Sequence, residues 1–297
     1  MDKYGLKMLL RSIRSSLGRY LAILAIVALG VGIFAGLKSS QPAMQSTVDE
    51  YMRDNRMFDF QLMSSLGLTE SDRAAFAQLD GVKYAEGAYG VDAMAAVGKT
   101  EEPYRFMSVT ENVAVPLLVA GRMPETDGEC LADAGAFSEK DIGKTVQLSE
   151  DNDADTLDMF TSRSYKIVGI AKSPRYISND RGSTSLGSGS LKGFIILPAA
   201  AFNSEVYHEI LLYCNFDGAL FSSEYDTARD KLKPRIQQLL NRCGARRYET
   251  LHAETDAKLA DAQLEINDGW DEYYATNRRR SARLTTALRR SRRRRAR

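Results

Sequence analysis

Two histidines, His208 and His252, are the first places to look for acid–base chemistry, and they stand far apart in the sequence. His208 lies beside an apolar run and His252 within a stretch of helical spacing. Two isolated histidines do not supply the nucleophile–base pair that covalent catalysis requires. Both read as packed or solvated side chains. Gly-Lys-Thr occurs twice, at Gly98–Thr100 and Gly143–Thr145. A phosphate-cradling loop also needs a glycine about five residues earlier. Ala93 and Ser138 hold those positions, so neither copy qualifies. Gly187-Ser188-Gly189 lacks the strand–turn–helix setting of a nucleotide loop. The acids of residues 150–158 lack the ligand spacing of a calcium loop and read as a solvated acidic stretch. Cys130, Cys214 and Cys243 have no C-x-x-C spacing, and three are too few for a zinc site or a disulfide scaffold. One disulfide is conceivable outside the cell, leaving an odd thiol, but three buried free thiols is the simpler expectation. The residue types therefore point to no catalytic, metal or cofactor site.

The strongest physical signal is instead an interaction with lipid. Residues 21–37, LAILAIVALGVGIFAGL, carry no charge. A run of about 17 to 25 apolar residues spans a hydrocarbon layer of about 30 Å. Lys3, Lys7, Arg11, Arg14 and Arg19 precede it against one acid, Asp2. That bias predicts a cytoplasmic N-terminus, with everything after Lys38 across the membrane. A cleaved signal peptide shares the basic start, but the apolar run exceeds the usual ~7–15 residues and no A-x-A site follows. A buried core helix fits the charge-free length poorly. The segment reads as an uncleaved anchor. Within it Ala28, Gly32 and Gly36 recur every four residues, a small-residue face that lets a second helix approach.

Around this anchor the chain divides into five parts. Residues 1–20 predict an amphipathic entry helix on the inner membrane surface, with Met8, Leu9, Ile13 and Leu17 on one face. Residues 21–37 cross the membrane. Residues 38–248 form the main body. They begin with a helical stalk at 46–56 and a strand at 58–63. Thr69 then caps a helix that ends at Asp80-Gly81. Strand patterns follow at 84–97, 104–109, 113–119, 129–132, 146–148, 165–170, 194–197 and 209–215, with a short helix or turn at 136–141. The acidic stretch 150–158 reads as mobile, and residues 174–193 as a long Ser/Gly loop. A helix spans about 224–243, with a break expected at Pro234 and a stop at Gly244. Residues 249–277 place His252, Leu259, Ile266 and Tyr273 seven apart, the start of a coiled-coil seam. From 278 to 297 there are eleven arginines and no acid. Setting them aside leaves 29 basic residues against 39 acidic ones, so an acidic body meets an intensely basic tail. The tail is expected to be disordered, and the abrupt change of composition reads as a shifted frame.

One ordered series of short motifs gives a resemblance. Val119-Ala120-Gly121-Arg122-Met123-Pro124 is followed by Asp127-Gly128-Glu129-Cys130-Leu131. Asp141-Ile142-Gly143-Lys144-Thr145-Val146-Gln147-Leu148 comes next, then Tyr165-Lys166-Ile167-Val168-Gly169-Ile170. In this order, behind one anchor, they resemble the extracytoplasmic domain of FtsX/MacB-type ABC transporter permeases. Asp59-Phe60-Gln61, at the start of the first strand, extends the resemblance over about residues 8–250. The Arg181–Gly189 stretch with Gly193-Phe194 and Leu197-Pro198 is similar to a branch of large Gram-positive permeases. In that branch a coiled coil follows the domain. The resemblance implies structural roles for Gly121, Arg122, Pro124, Gly143 and Gly169. It also implies a partner or substrate loop with Arg181, Gly182, Leu186, Gly187 and Gly189.

The expected architecture is α+β: a transmembrane helix, an extracytoplasmic mixed α/β domain and a C-terminal helix that starts a coiled coil. The resemblance implies a non-enzymatic ABC permease component in the cell membrane. Such a component couples ATP-driven motion to export or extraction of a hydrophobic or peptide-like substrate. The implied partners are the bilayer, an ATPase subunit that alone binds ATP, and a further permease subunit or missing C-terminal half. No nucleic acid is expected. No second apolar run follows Leu37, so the chain reads as an N-terminal fragment. The competing expectation is a single-pass anchored binding or sensing module acting through residues 179–193.

Overall fold

The computed structural model describes residues 3–295. The side chains at 3, 9, 10, 12, 13, 282, 283 and 287–295 lie outside the described residues. So do the expected apolar contacts of Leu9 and Ile13 and the chain ends at 1–2 and 296–297. The chain forms two compact units, Met1–Gln237 and Gln238–Arg297.

The first unit opens with α1, Lys3–Ser15, and α2, Leu17–Asp54. Among the described residues α2 is the one helix long and apolar enough to cross a membrane. Its Leu, Ile, Val and Phe side chains stand exposed from Leu21 to Leu37, as a lipid-facing helix requires. The anchor at 21–37 continues into the stalk as one helix. At about 1.5 Å per residue its 38 residues extend roughly 57 Å, well beyond a bilayer core. The helix also passes through Pro42. Nearby, Ser39 and Ser40 donate to the carbonyls of Gly36 and Leu37 at 3.1 and 2.8 Å.

Beyond α2 the elements are β1 (Phe60–Leu68), α3 (Glu70–Ala77), β2 (Val82–Ala88), β3 (Gly90–Val97), β4 (Thr100–Ser108) and β5 (Leu117–Gly121). Then come β6 (Glu129–Asp133), β7 (Thr145–Leu148), α4 (Ala154–Asp158), β8 (Ser164–Lys172), β9 (Gly193–Leu197), β10 (Tyr207–Cys214) and α5 (Ser223–Arg295). The Thr69 cap forms as expected. Its hydroxyl accepts from the Asp72 amide at 3.2 Å, and the Asp72 carboxylate accepts from the Thr69 amide at 2.8 Å.

The strands make two sheets. β1, β10 and β2 form a three-stranded antiparallel sheet. The other seven run in the order β5-β8-β6-β9-β4-β3-β7, and an additional β7–β8 pairing closes six of them into a barrel. Closure removes open edges, the standing hazard of a sheet. The barrel interior follows the period-2 rule strand by strand. Ala93 and Ala95, Tyr104 and Phe106, Cys130 and Ala132, Val146 and Leu148, Tyr165 and Ile167, and Ile195 and Leu197 are all buried in one cluster. Small residues face large ones: Ala93 pairs with Tyr104, and Ala132 with Ile195. Phe160 and Phe202 join the same core, edge-on and tilted against Phe106 and each other.

Four local expectations are corrected. The 84–97 run is two strands in different sheets, parting at Tyr89, whose ring stacks on Phe202 at 5.1 Å. The acidic stretch 150–158 is pinned rather than mobile. Asp153 caps α4, and the Asn152 amide clasps both backbone groups of Met94 at 2.8 Å. α5 runs through Pro234 and Gly244 without stopping. Finally, the backbone from 278 to 295 is helical instead of disordered. Arginine is a good helix former, and an existing helix propagates into it more easily than it would nucleate there.

Candidate functional site

The polar contacts between the end of α2 and the folded domain gather near one end of the three-stranded sheet. Asp49, on the last turns of α2, accepts from the Leu220 amide at 2.6 Å and from the Arg53 Nε at 3.0 Å. Arg53 in turn donates to the Gly218 carbonyl. Asp59, just before β1, accepts from the Cys214 amide at the end of β10 and from the Tyr225 hydroxyl on α5, both at 2.6 Å. Burial pushes the Asp59 carboxyl above its ordinary range, opposed by those two hydrogen bonds. Phe216 packs edge-on against Tyr225 at 5.3 Å and against Phe60 at 6.4 Å. A cavity of about 50 Å³, lined by Met52, Met57, Tyr213 and Leu220 among others, lies between these groups. Thus the helix entering the domain and the helix leaving it are joined to the same sheet end within a few residues.

Sequence reasoning found only part of this junction. Asp59 reads from the sequence as a strand start, but its partners Cys214 and Tyr225 are more than 150 positions away. Asp49 and Arg53 carry a helical i,i+4 signal that fits any solvated helix. A carboxylate immediately before a strand that buries only some of its residues is the one available clue.

The motif residues occupy a second place, at the lip of the barrel. Gly121 pairs with Gly169 across β5 and β8. Gly121 has φ +82°, and a Cβ there would collide with the Val168 carbonyl. At Gly169 it would collide with the Arg122 carbonyl. Only glycine permits this approach. Arg122 then closes the 121–129 turn: it donates to Glu129 at 2.8 Å and to the Met123 carbonyl at 2.9 Å, while Glu129 also accepts from the Glu125 amide at 2.9 Å. The Arg122 guanidinium holds the Glu129 carboxyl down at about 2. Pro124 lies inside that clasp. Gly143, with φ +92°, turns the chain so that its amide reaches the Ile167 carbonyl at 2.8 Å.

The 174–193 loop is ordered by its own polar contacts. Arg181, expected on a partner surface, is almost buried and spends its guanidinium on Asp133 at 2.5 and 3.0 Å. It also lies over the rings of Tyr176 and Phe194, which stack on each other at 5.3 Å. Arg175 makes a forked pair with buried Glu209 at 2.6 and 3.0 Å. Gly182, Gly187 and Gly189 all have positive φ. Leu191 donates to Gly182 at 3.0 Å and Gly189 to Leu186 at 2.9 Å, so the loop is a folded flap. In α2, Ala28, Gly32 and Gly36 are exposed, and nothing lies within 4 Å of a Cβ at either glycine.

Of the titratable residues considered for chemistry, His208 is packed. Its ring meets Tyr89 edge-on, and its Nδ1 lies 3.2 Å from the Gly90 amide. His252 pairs with Asp256 at 2.9 Å on the surface of α5. The three cysteines are buried thiols, and burial raises the Cys214 thiol to about 12.

The structure is an α+β barrel domain attached to a helix of membrane-spanning length. It is similar to the extracellular domain of the noncanonic ABC-type transporter YknZ from Gram-positive bacteria, with TM-score 0.36 and 15% identity over 60% of this chain and 84% of that one. It is also similar to the periplasmic region of MacB from Actinobacillus actinomycetemcomitans, with TM-score 0.36 and 14% identity over 61% and 76% of the two chains. No family model matches the sequence, and no curated protein matches it significantly.

Proposed function

We propose that this chain is a component of an ABC permease. In this reading α2 is the membrane anchor with its N-terminus in the cytoplasm, and the barrel domain lies outside the membrane. ATP is bound and hydrolysed by a separate subunit, and further membrane helices come from another permease subunit or a C-terminal half. The domain then couples motion of the membrane helices to export or extraction of a hydrophobic or peptide-like substrate. The observation that carries this reading is the junction. Asp49, Arg53, Asp59 and Tyr225 tie the membrane helix, the sheet end and the outgoing helix into one polar cluster, so displacement of α2 must be felt by the domain and by α5. The ordered motifs at Gly121, Arg122, Pro124, Gly143 and Gly169 support the same reading. Two results test it. An ATPase subunit should co-purify with the chain from its native membrane. Protease added to intact cells or protoplasts should remove the domain, and a domain that survives while controls are digested would end the proposal.

The anchored sensing module depends on a loop free to take a ligand. Arg181 is its strongest polar candidate, and that side chain is committed to Asp133. The geometry favours the coupling role.

A further inference from the structure

The protein has one tryptophan, Trp270, and it stands in the open on α5. Its ring lies 5.9 Å from those of Tyr273 and Tyr274, which are 5.7 Å from each other. All three are more than half exposed, so nothing described in the second unit covers them. One turn further along the same helix, Arg278, Arg279 and Arg280 begin the arginine run, eleven residues strong and free of acids. Tryptophan and tyrosine are enriched where a bilayer meets water, because each ring has an apolar body and a polar edge. Clustered arginines beside such rings add attraction to anionic headgroups, at about 1 kcal/mol per basic residue near the surface. Asp268, Asp271 and Glu272 lie among the aromatics, so the attraction must come from the arginine side.

We propose that the arginine-rich end is a working part of the chain and not the product of a shifted frame, and that α5 from Trp270 onward is a second membrane contact, one that binds a bilayer surface bearing anionic lipid headgroups. Trp270, Tyr273 and Tyr274 settle at headgroup level, and the arginines from Arg278 onward engage the phosphates. Stacked bases and phosphates of a single-stranded nucleic acid would match the same side chains. Lipid is favoured because α2 of the same chain is built to cross a bilayer, which holds headgroups at high effective concentration.

Because Trp270 is unique, its fluorescence reports on this cluster alone. The full chain, held in neutral phosphatidylcholine nanodiscs, is mixed with vesicles of phosphatidylcholine alone or with added phosphatidylglycerol, each containing brominated lipid. The expected result is a shift of Trp270 emission to shorter wavelength, with bromine quenching, only with the anionic vesicles and reversed by high salt. Replacing Arg278, Arg279 and Arg280 by Gln should weaken vesicle binding by about fivefold per arginine, while Tyr273→Ser with Tyr274→Ser should reduce the quenching. An equal response to neutral and anionic vesicles overturns the proposal. So does no response to either, a response to RNA in place of vesicles, or a change that depends only on protein concentration and so reports helix self-association.

Discussion

The barrel and the junction below it are held by opposite means. The barrel buries alternate residues of six strands in an apolar core, with Ala93 on β3 opposite Tyr104 on β4 and Val91 opposite Phe106. Such a core is close-packed and gives little before it fails. The junction instead relies on a few charge-assisted hydrogen bonds through Asp49, Arg53 and Asp59, on two edge-on aromatic contacts, and on a small cavity. Bonds of this kind can exchange partners without unfolding the domain. Packing therefore fixes the barrel, while the junction rests on a handful of polar contacts that single substitutions can remove.

Breaking the barrel should have the largest effect. Phe106→Ala removes a fully buried ring and should cost about 3–5 kcal/mol. Thermal unfolding of the full chain in detergent, followed by near-ultraviolet circular dichroism, should show a large drop in Tm. A small drop would mean the barrel is not the stability core. Asp133→Ala should come close behind, at about 3–5 kcal/mol, because it strands the Arg181 guanidinium against Tyr176 and Phe194. The same assay reads it, and protease should then cut the 174–193 loop faster.

At the junction the effect should be moderate. Asp59→Ala leaves the buried Cys214 amide and the Tyr225 hydroxyl without their acceptor, a loss of about 1–3 kcal/mol. Its pH dependence sharpens the contrast. Burial raises the folded pKa of Asp59 above the ordinary 3.8, so the protonated form is favoured in the fold. The associated stability is full below about 3.8 and declines as pH rises through the folded value. Asp59→Asn should flatten that slope, and a pH titration of Tm that is unchanged by the substitution would contradict the assignment.

The smallest effect belongs to the exposed clasp at the barrel lip. Arg122 depresses the Glu129 pKa from 4.5 to about 2, so its contribution is present above pH 4.5 and fades as pH falls towards 2. Arg122→Ala should lower Tm only slightly at neutral pH, because the clasp is exposed, and that difference should vanish as pH falls towards 2. Comparing acid-unfolding curves of the two proteins checks this, and a large neutral-pH loss would show that the turn does more than close itself.

Much of the fold was legible in the residues themselves. The anchor, the Thr69 cap, and strands β6, β7, β8, β9 and β10 follow from local rules: charge-free length, a side chain reaching its own third residue, alternation between faces. The misreadings have a common cause. Residues 84–97 read as one strand-like stretch, but pairing with β10 on one side and β4 on the other splits them at Tyr89. Arg181 is polar and lies in a Ser/Gly loop, the pattern of a solvated residue, until Asp133 is placed beside it. Asp49 and Asp59 were visible as acids, but not as the two anchors of a junction.

What the sequence alone determined is what neighbours along the chain can enforce: a lipid-length apolar helix, the period of each strand, the glycines that force tight turns, and the contrast between an acidic body and a basic helix. What only the tertiary structure decided is which strands close the barrel, which carboxylates become buried partners, and where the membrane helix grips the sheet. Those outcomes depend on groups tens to hundreds of residues apart. Their encounter is favoured by burial and charge pairing, not by any local preference that a short stretch of sequence records.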